Sequence, residues 1–244
     1  MIRSLDPLSV APVCLHCVTF TNTQFSRMVS KRCFFEIDIS WDYDLQDLYL
    51  GHPYTFYTII KKMPIPNNIQ FSVAIEHFNQ HPEIPVMFDV KDVNALPKLF
   101  EIISTLQNTV YCLFFVKEWS LPMPSTFNPA KHFMLDDISI LDIKRFANQY
   151  INIIGSVRCY SRDWILKSPV MNRVFKDADG IFDGISLYMP NAGQQPIEIL
   201  LEIANKGYMP LVNIDSLPKK DLAKLSNKYN YIGMTDNIDL ATSY

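Results

Sequence analysis

The 244-residue sequence lacks positive charge in excess, a long apolar run and any internal repeat. Each absence removes a class of function. The formal net charge is −3, so the chain as a whole offers no field that would draw nucleic acid or an acidic membrane. The longest apolar stretch, Val110 to Val116, is far too short to span a bilayer. Asp6, Pro7 and Pro12 interrupt the apolar core that a signal peptide needs. The expectation is a soluble, cytoplasmic protein without a transmembrane segment. No low-complexity segment occurs. Asn67-Asn68 and Ser120–Pro129 read as longer loops, not linkers, so one domain is expected over residues 1–244. An even cysteine framework is missing too. The five cysteines are Cys14, Cys17, Cys33, Cys112 and Cys159, and four lie in apolar runs. They read as buried free thiols, small hydrophobes in effect. Cys14-x-x-Cys17 has no second pair nearby and is a weak signal for zinc or redox chemistry.

What is present is an apolar chain, 48% hydrophobic, long enough to bury a sizeable core. Short β-rich runs alternate with longer amphipathic ones. The strand candidates are Pro12–His16, Cys33–Ile39, Pro85–Val90, Val110–Val116, Asn152–Val157, Gly184–Tyr188, Pro210–Ile214 and Tyr231–Met234. Helical patterns cover Thr21–Lys31, Ile69–Asn79, Asn94–Gln107, Asp136–Gln149, Arg162–Asp177, Pro196–Lys206 and Leu217–Lys228. Asn94 is a candidate N-cap, Pro218 stands near a helix start, and Gly207 after Lys206 is a C-cap signal. Strands apolar throughout, separated by helices, indicate a parallel sheet covered on its outside. Eight such units predict an α/β protein, a single (β/α)8 TIM barrel, with its active site at the C-terminal ends of the strands. An open doubly wound sheet is the alternative.

The most informative segment is Phe34-Phe-Glu-Ile-Asp-Ile-Ser40. Residues at i and i+2 of a strand share a face, so Glu36 and Asp38 point together at a strand's C-terminal end. Adjacent carboxylates resist burial unless a cation or strong donors hold them charged. A solvated strand end is the other reading, but Phe34, Phe35, Ile37 and Ile39 leave little that looks solvated. The next strand repeats the pattern with Asp89 and Lys91. Asp89 is the natural third ligand. Three hard oxygen donors suit one divalent cation, Mg2+ or Ca2+, over zinc. Lys91 is placed to donate to a phosphate oxygen, or to form an intra-strand salt link.

His16 ends the first strand, and His52 lies on the loop after the second, between Gly51 and Pro53. Either alone reads as a structural residue. Two imidazoles flanking a metal site suit proton transfer near neutral pH. His77, His81 and His132 read as surface or structural. Further barrel-top residues are Lys117, Glu118, Trp119, Arg158, Tyr188, Asn213 and Asp236. Each is a candidate for the pocket wall or for loop surface.

The order His16, Glu36-x-Asp38, Gly51-His52, Asp89-x-Lys91 resembles the glycerophosphodiester phosphodiesterase family of phospholipase C-like barrels. Met234-Thr-Asp-Asn237 resembles that family's last motif, and Asn22-Thr23 falls where it has Glu-Asn-Thr. The chain departs from the pattern at Cys17, where the family has arginine, and at Asp89, where it usually has glutamate. The short stretch between His52 and Asp89, and the Asp at the third position, are closer to the sphingomyelinase D (phospholipase D toxin) branch. The resemblance implies a metal-dependent hydrolase of a glycerophosphodiester-type substrate. His16 and His52 would be its acid–base pair, and Glu36, Asp38 and Asp89 its metal ligands. Lys91, Arg158 and Asp236 are expected on the substrate side, with Arg158 a candidate to replace the missing arginine. The expected partner is a small phosphodiester or a phospholipid head group. Two alternatives are a sphingomyelinase D-like enzyme acting on a lipid head group and a non-catalytic barrel binding a phosphorylated ligand. Trp41, Tyr43, Tyr54, Phe56 and Tyr57, around His52, would form an aromatic rim in the first case and pack beneath the loop otherwise.

Overall fold

A computed structural model describes residues 13–16, 34–52, 71–120, 137–147, 151–167, 169–189 and 194–237. The strands among them are β1 (Val13–Leu15), β2 (Phe34–Asp42), β3 (Asp47–Leu50), β4 (Val86–Val90), β5 (Val110–Val116), β6 (Asp137–Ile138), β7 (Asn152–Arg158), β8 (Gly184–Tyr188), β9 (Met209–Asn213) and β10 (Ile232–Thr235). Eight of these run parallel in the order β1-β2-β4-β5-β7-β8-β9-β10, and β10 pairs back onto β1. The sheet is closed, so the open doubly wound alternative is excluded and the (β/α)8 barrel stands.

The helices are α1 (Phe71–Gln80), α2 (Leu96–Ile103), α3 (Ile140–Phe146), α4 (Arg162–Lys167), α5 (Val170–Ala178), α6 (Ile197–Asn205) and α7 (Lys219–Ser226). Their apolar stripes cover the outside of the sheet. In α5, Val170, Met171, Val174, Phe175 and Ala178 recur with the helical period, and all are buried. Ser139 caps α3, accepting from the Asp142 amide at 3.2 Å. Gly207 ends α6 at φ 90, a left-handed conformation that glycine adopts at no steric cost. No helix of the described residues is long and apolar enough to cross a membrane.

Alternation along the strands sorts the side chains into two layers. Phe35, Ile37, Ile39, Val86, Phe88 and Val90 face the helices in the larger core cluster. Cys14, Phe34, Met87, Tyr111, Leu113, Ile154, Leu211 and Ile232 form the inner cluster that fills the base of the barrel. Toward the C-terminal end the same inward faces turn polar. Phe34 gives way to Glu36 and Asp38, Met87 to Asp89 and Lys91, and Ile154 to Ser156 and Arg158. Packing therefore closes the base, and the polar groups gather at the mouth.

Four expectations are corrected. The segment after the second strand is not a plain loop. β2 continues past the barrel to Asp42 and returns as β3, pairing antiparallel from Ile39↔Leu50 to Asp42↔Asp47. The Asp42 carboxylate drives this turn by accepting from the Asp44 and Leu45 amides at 2.9 and 3.0 Å. Residues 137–138, expected in a helix, pair with β5 as β6. The segment read as one helix from Arg162 divides into α4 and α5. Asn94 is not the N-cap of α2: it lies in a 3-10 turn, Val93–Ala95, that leads into the helix and is capped by Asp92, which accepts from the Asn94 amide. The predicted helix Thr21–Lys31 lies outside the described residues, as do Cys17, Cys33, Asn22-Thr23, Tyr54, Phe56, Tyr57 and His132. Cys14, Cys112 and Cys159 are buried free thiols.

Candidate active site

Parallel register places the acids. Asp38 on β2 stands directly opposite Asp89 on β4, with Glu36 two residues earlier on the same inner face. Glu36, Asp38 and Asp89 are buried at 1%, 3% and 3% exposure. One oxygen from each lies within 4.8 Å of the others. Three carboxylates this close, out of water, demand positive charge.

Some of that charge comes from the chain. Lys91 Nζ donates to Asp89 Oδ2 and reaches Asp38 Oδ1 at 3.1 Å. His16 Nε2 lies 3.6 Å from Glu36 Oε2, and His52 Nε2 lies 3.3 Å from Asp38 Oδ2. The two imidazoles therefore approach different acids of the triad. Glu36 raises the His16 imidazole to about 9, aided by its hydrogen bond to Asp236 and opposed by burial. His16 Nδ1–H donates to Asp236 Oδ1 at 2.8 Å, which turns Nε2 toward the acids. That bond holds the Asp236 carboxyl below its ordinary range.

The remaining deficit is what a cation would fill. Burial, reinforced by Asp38 and Asp89, pushes Glu36 well above the usual carboxylate range, against the pull of His16 and Lys91. Asp89 Oδ1 is buried without a hydrogen-bond partner among the described residues. An orphaned buried oxygen beside two more carboxylates fits a hard divalent ion. The three residues could hold one.

Local backbone features aim the histidines. The His16 amide donates to the Thr235 carbonyl at 2.8 Å, so the end of β10 fixes the end of β1. Gly51 donates to the Asp38 carbonyl at 2.8 Å and accepts from the Ser40 hydroxyl at 2.6 Å. The hairpin thus returns His52 to the mouth. Asp215 accepts from the Thr235 hydroxyl at 2.7 Å and the Asp236 amide at 2.9 Å, holding the Asp236 turn.

The other expected mouth residues divide. Arg158 is buried and joins Lys91 around the Phe115 ring, while Tyr188 is 43% exposed at the rim. Trp119 is no wall residue. It packs into the core against Phe182, because Gly155 leaves room for its ring. Glu118 caps α3 through the Ile140 amide, and Asn213 accepts from the Asp215 and Ser216 amides. Tyr43 is exposed and hydrogen-bonds Asp92, whereas Trp41 packs against the core. Ser156, Asp137 and Asp215 were not expected. The period-two alternation on β7 was the available signal for Ser156. The partners of Asp137 and Asp215 are set by tertiary folding, which no local pattern shows.

No family model matches the chain, and no curated protein matches it. Among solved structures it is similar to an Oleispira antarctica phosphodiesterase in complex with the product sn-glycerol-3-phosphate. The identity is 14%, the TM-score 0.57, and the match covers 96% of this chain and 97% of that one. A phosphonopyruvate hydrolase complexed with oxalate and Mg2+ is 9% identical with a TM-score of 0.46, over 96% of this chain and 78% of that one. The first likeness supports the closed barrel. The second is too distant to add to it.

Proposed function

We propose that this chain is a metal-dependent phosphodiesterase acting on a small glycerophosphodiester-type substrate through its two histidines. The observation that carries the reading is the convergence of Glu36, Asp38 and Asp89 on one point, with an imidazole beside Glu36 and another beside Asp38. The barrel shared with a phosphodiesterase that holds sn-glycerol-3-phosphate as product is consistent with it. A divalent cation, Mg2+ or Ca2+, on the three acids would supply charge to the phosphoryl oxygens as the transition state forms.

The chain's own residues do the rest. Lys91, already at the acids, donates to a phosphoryl oxygen. One imidazole removes a proton from the attacking water or neighbouring hydroxyl. The other delivers a proton to the departing alcohol oxygen. Asp236 is a positioning residue that orients His16 through Nδ1. A sphingomyelinase D-like action on a lipid head group would use the same groups. The exposed Tyr43 and Leu45 at the β2–β3 turn are the features that favour it.

The test is hydrolysis of a glycerophosphodiester by purified protein. Activity should vanish with EDTA and return with Mg2+ or Ca2+. Changing either histidine to alanine, His16→Ala or His52→Ala, should cost about 10²–10⁴-fold in kcat. Undiminished turnover in EDTA, or in either variant, overturns the reading.

A further inference from the structure

We propose that Ser156 and Arg158 form an anion subsite beside the three acids at the barrel mouth, so that the preferred ligand carries a carboxylate or phosphate besides the reacting phosphoryl group. The inference rests on the phosphodiester reading of the same mouth and names the class of compound it takes.

Ile154, Ser156 and Arg158 alternate along the inner face of β7, and Ile154 packs into the cluster at the barrel base. Ser156 and Arg158 are 1% and 4% exposed. The guanidinium is held at one end by Asp137, which stands level with Phe115 in the β5–β6 pairing. Its Nη2 donates to Asp137 Oδ1 on β6 at 3.0 Å, and the Ser120 hydroxyl donates to the other Asp137 oxygen. That leaves Arg158 Nε and Ser156 Oγ buried with no hydrogen-bond partner among the described residues. Two orphaned donors on one inward face are costly, and a charged oxygen reaching both would relieve them.

The subsite adjoins the triad. Lys91 Nζ lies 5.2 Å from the Phe115 ring centroid and Arg158 Cζ lies 4.3 Å from it, so one ring lies beside both cations. Lys91 in turn touches Asp38 and Asp89. A phosphoryl group at the acids would therefore place its alcohol substituent toward Arg158.

The same geometry disfavours a quaternary ammonium. Phe115 and Tyr188 meet edge to face at 5.1 Å, the kind of aromatic pair that would receive such a cation. Arg158 already lies over Phe115 and 5.7 Å from the Tyr188 centroid. A second cation there meets like charge.

The experiment is calorimetric titration of the full chain, in Mg2+ and again in Ca2+, with 3-phosphoglycerate and with phosphocholine. Wild type should bind 3-phosphoglycerate about tenfold tighter or more. Arg158→Gln, made with Asp137→Asn so that no buried carboxylate is left unpaired, should bring the two affinities together. Ser156→Ala, which removes one hydroxyl and strands no charge, should weaken only 3-phosphoglycerate. Equal binding of both ligands by wild type, or a preference that survives both variants, overturns the subsite and leaves the triad reading intact. Binding of neither ligand with either cation overturns both.

Discussion

Gly51 turns the chain at φ 127, a conformation closed to residues with a β-carbon, and the next residue is His52. The glycine is held on both sides, by the Asp38 carbonyl and the Ser40 hydroxyl. A Gly51→Ala change should move the imidazole from Asp38 while leaving the acids in place. Turnover should fall by about 10²-fold, as small misplacements of a reacting group do, with cation affinity unchanged. Equal losses of both would instead make Gly51 a fold residue. Which acids share a face was legible in the sequence, because Glu36, Asp38 and Asp89 sit on strands of alternating side chains. Glu36 with Asp38, and Asp89 with Lys91, follow from the period of two. What the residues could not disclose is register. That Asp38 meets Asp89 and not Val90 is decided by how β2 and β4 pair.

The elements were legible where they are apolar on both faces, and less so at their ends. β5 and β8 match their expected limits because every interior residue is buried. β3 was missed because its four residues mix exposed and buried positions. α2 ends at Ile103, earlier than its apolar pattern, with Ser104 and Thr105 hydroxyls donating back to backbone carbonyls. A β-carbon on Gly155 would meet the Trp119 ring at 2.2 Å. Gly155→Ala should therefore destabilise by about 1–3 kcal/mol in denaturant unfolding, and a neutral result would mean that the ring repacks freely. At the end of α1, burial and the neighbouring His81 lower His77 below its ordinary 6.5. The unfolded chain then binds that proton more readily, so this contribution to stability is present above 6.5 and lost as pH falls below it. Melting curves should show the difference between wild type and His77→Gln changing as pH drops through this range. A constant difference would contradict the assignment.

At the scale of the whole molecule, the barrel gathers groups from both ends of the chain. His16 and Asp236, 220 residues apart, meet because β1 and β10 close the sheet. Closure also explains the division of labour along the inner face, with an apolar plug at the base and charge at the mouth. Eight strand-like runs implied the architecture, but the cross-barrel contacts that make a site from it exist only once the circle is complete. Three acids from two neighbouring strands are proposed to hold one divalent cation. Calorimetric titration of the metal-free protein with Mg2+ and Ca2+ tests it most directly. One saturable site per chain is predicted, lost in Asp89→Asn and in Glu36→Gln, with thermal stability rising as the site fills. Failure of either ion to bind, or binding that persists in both variants, would contradict the account.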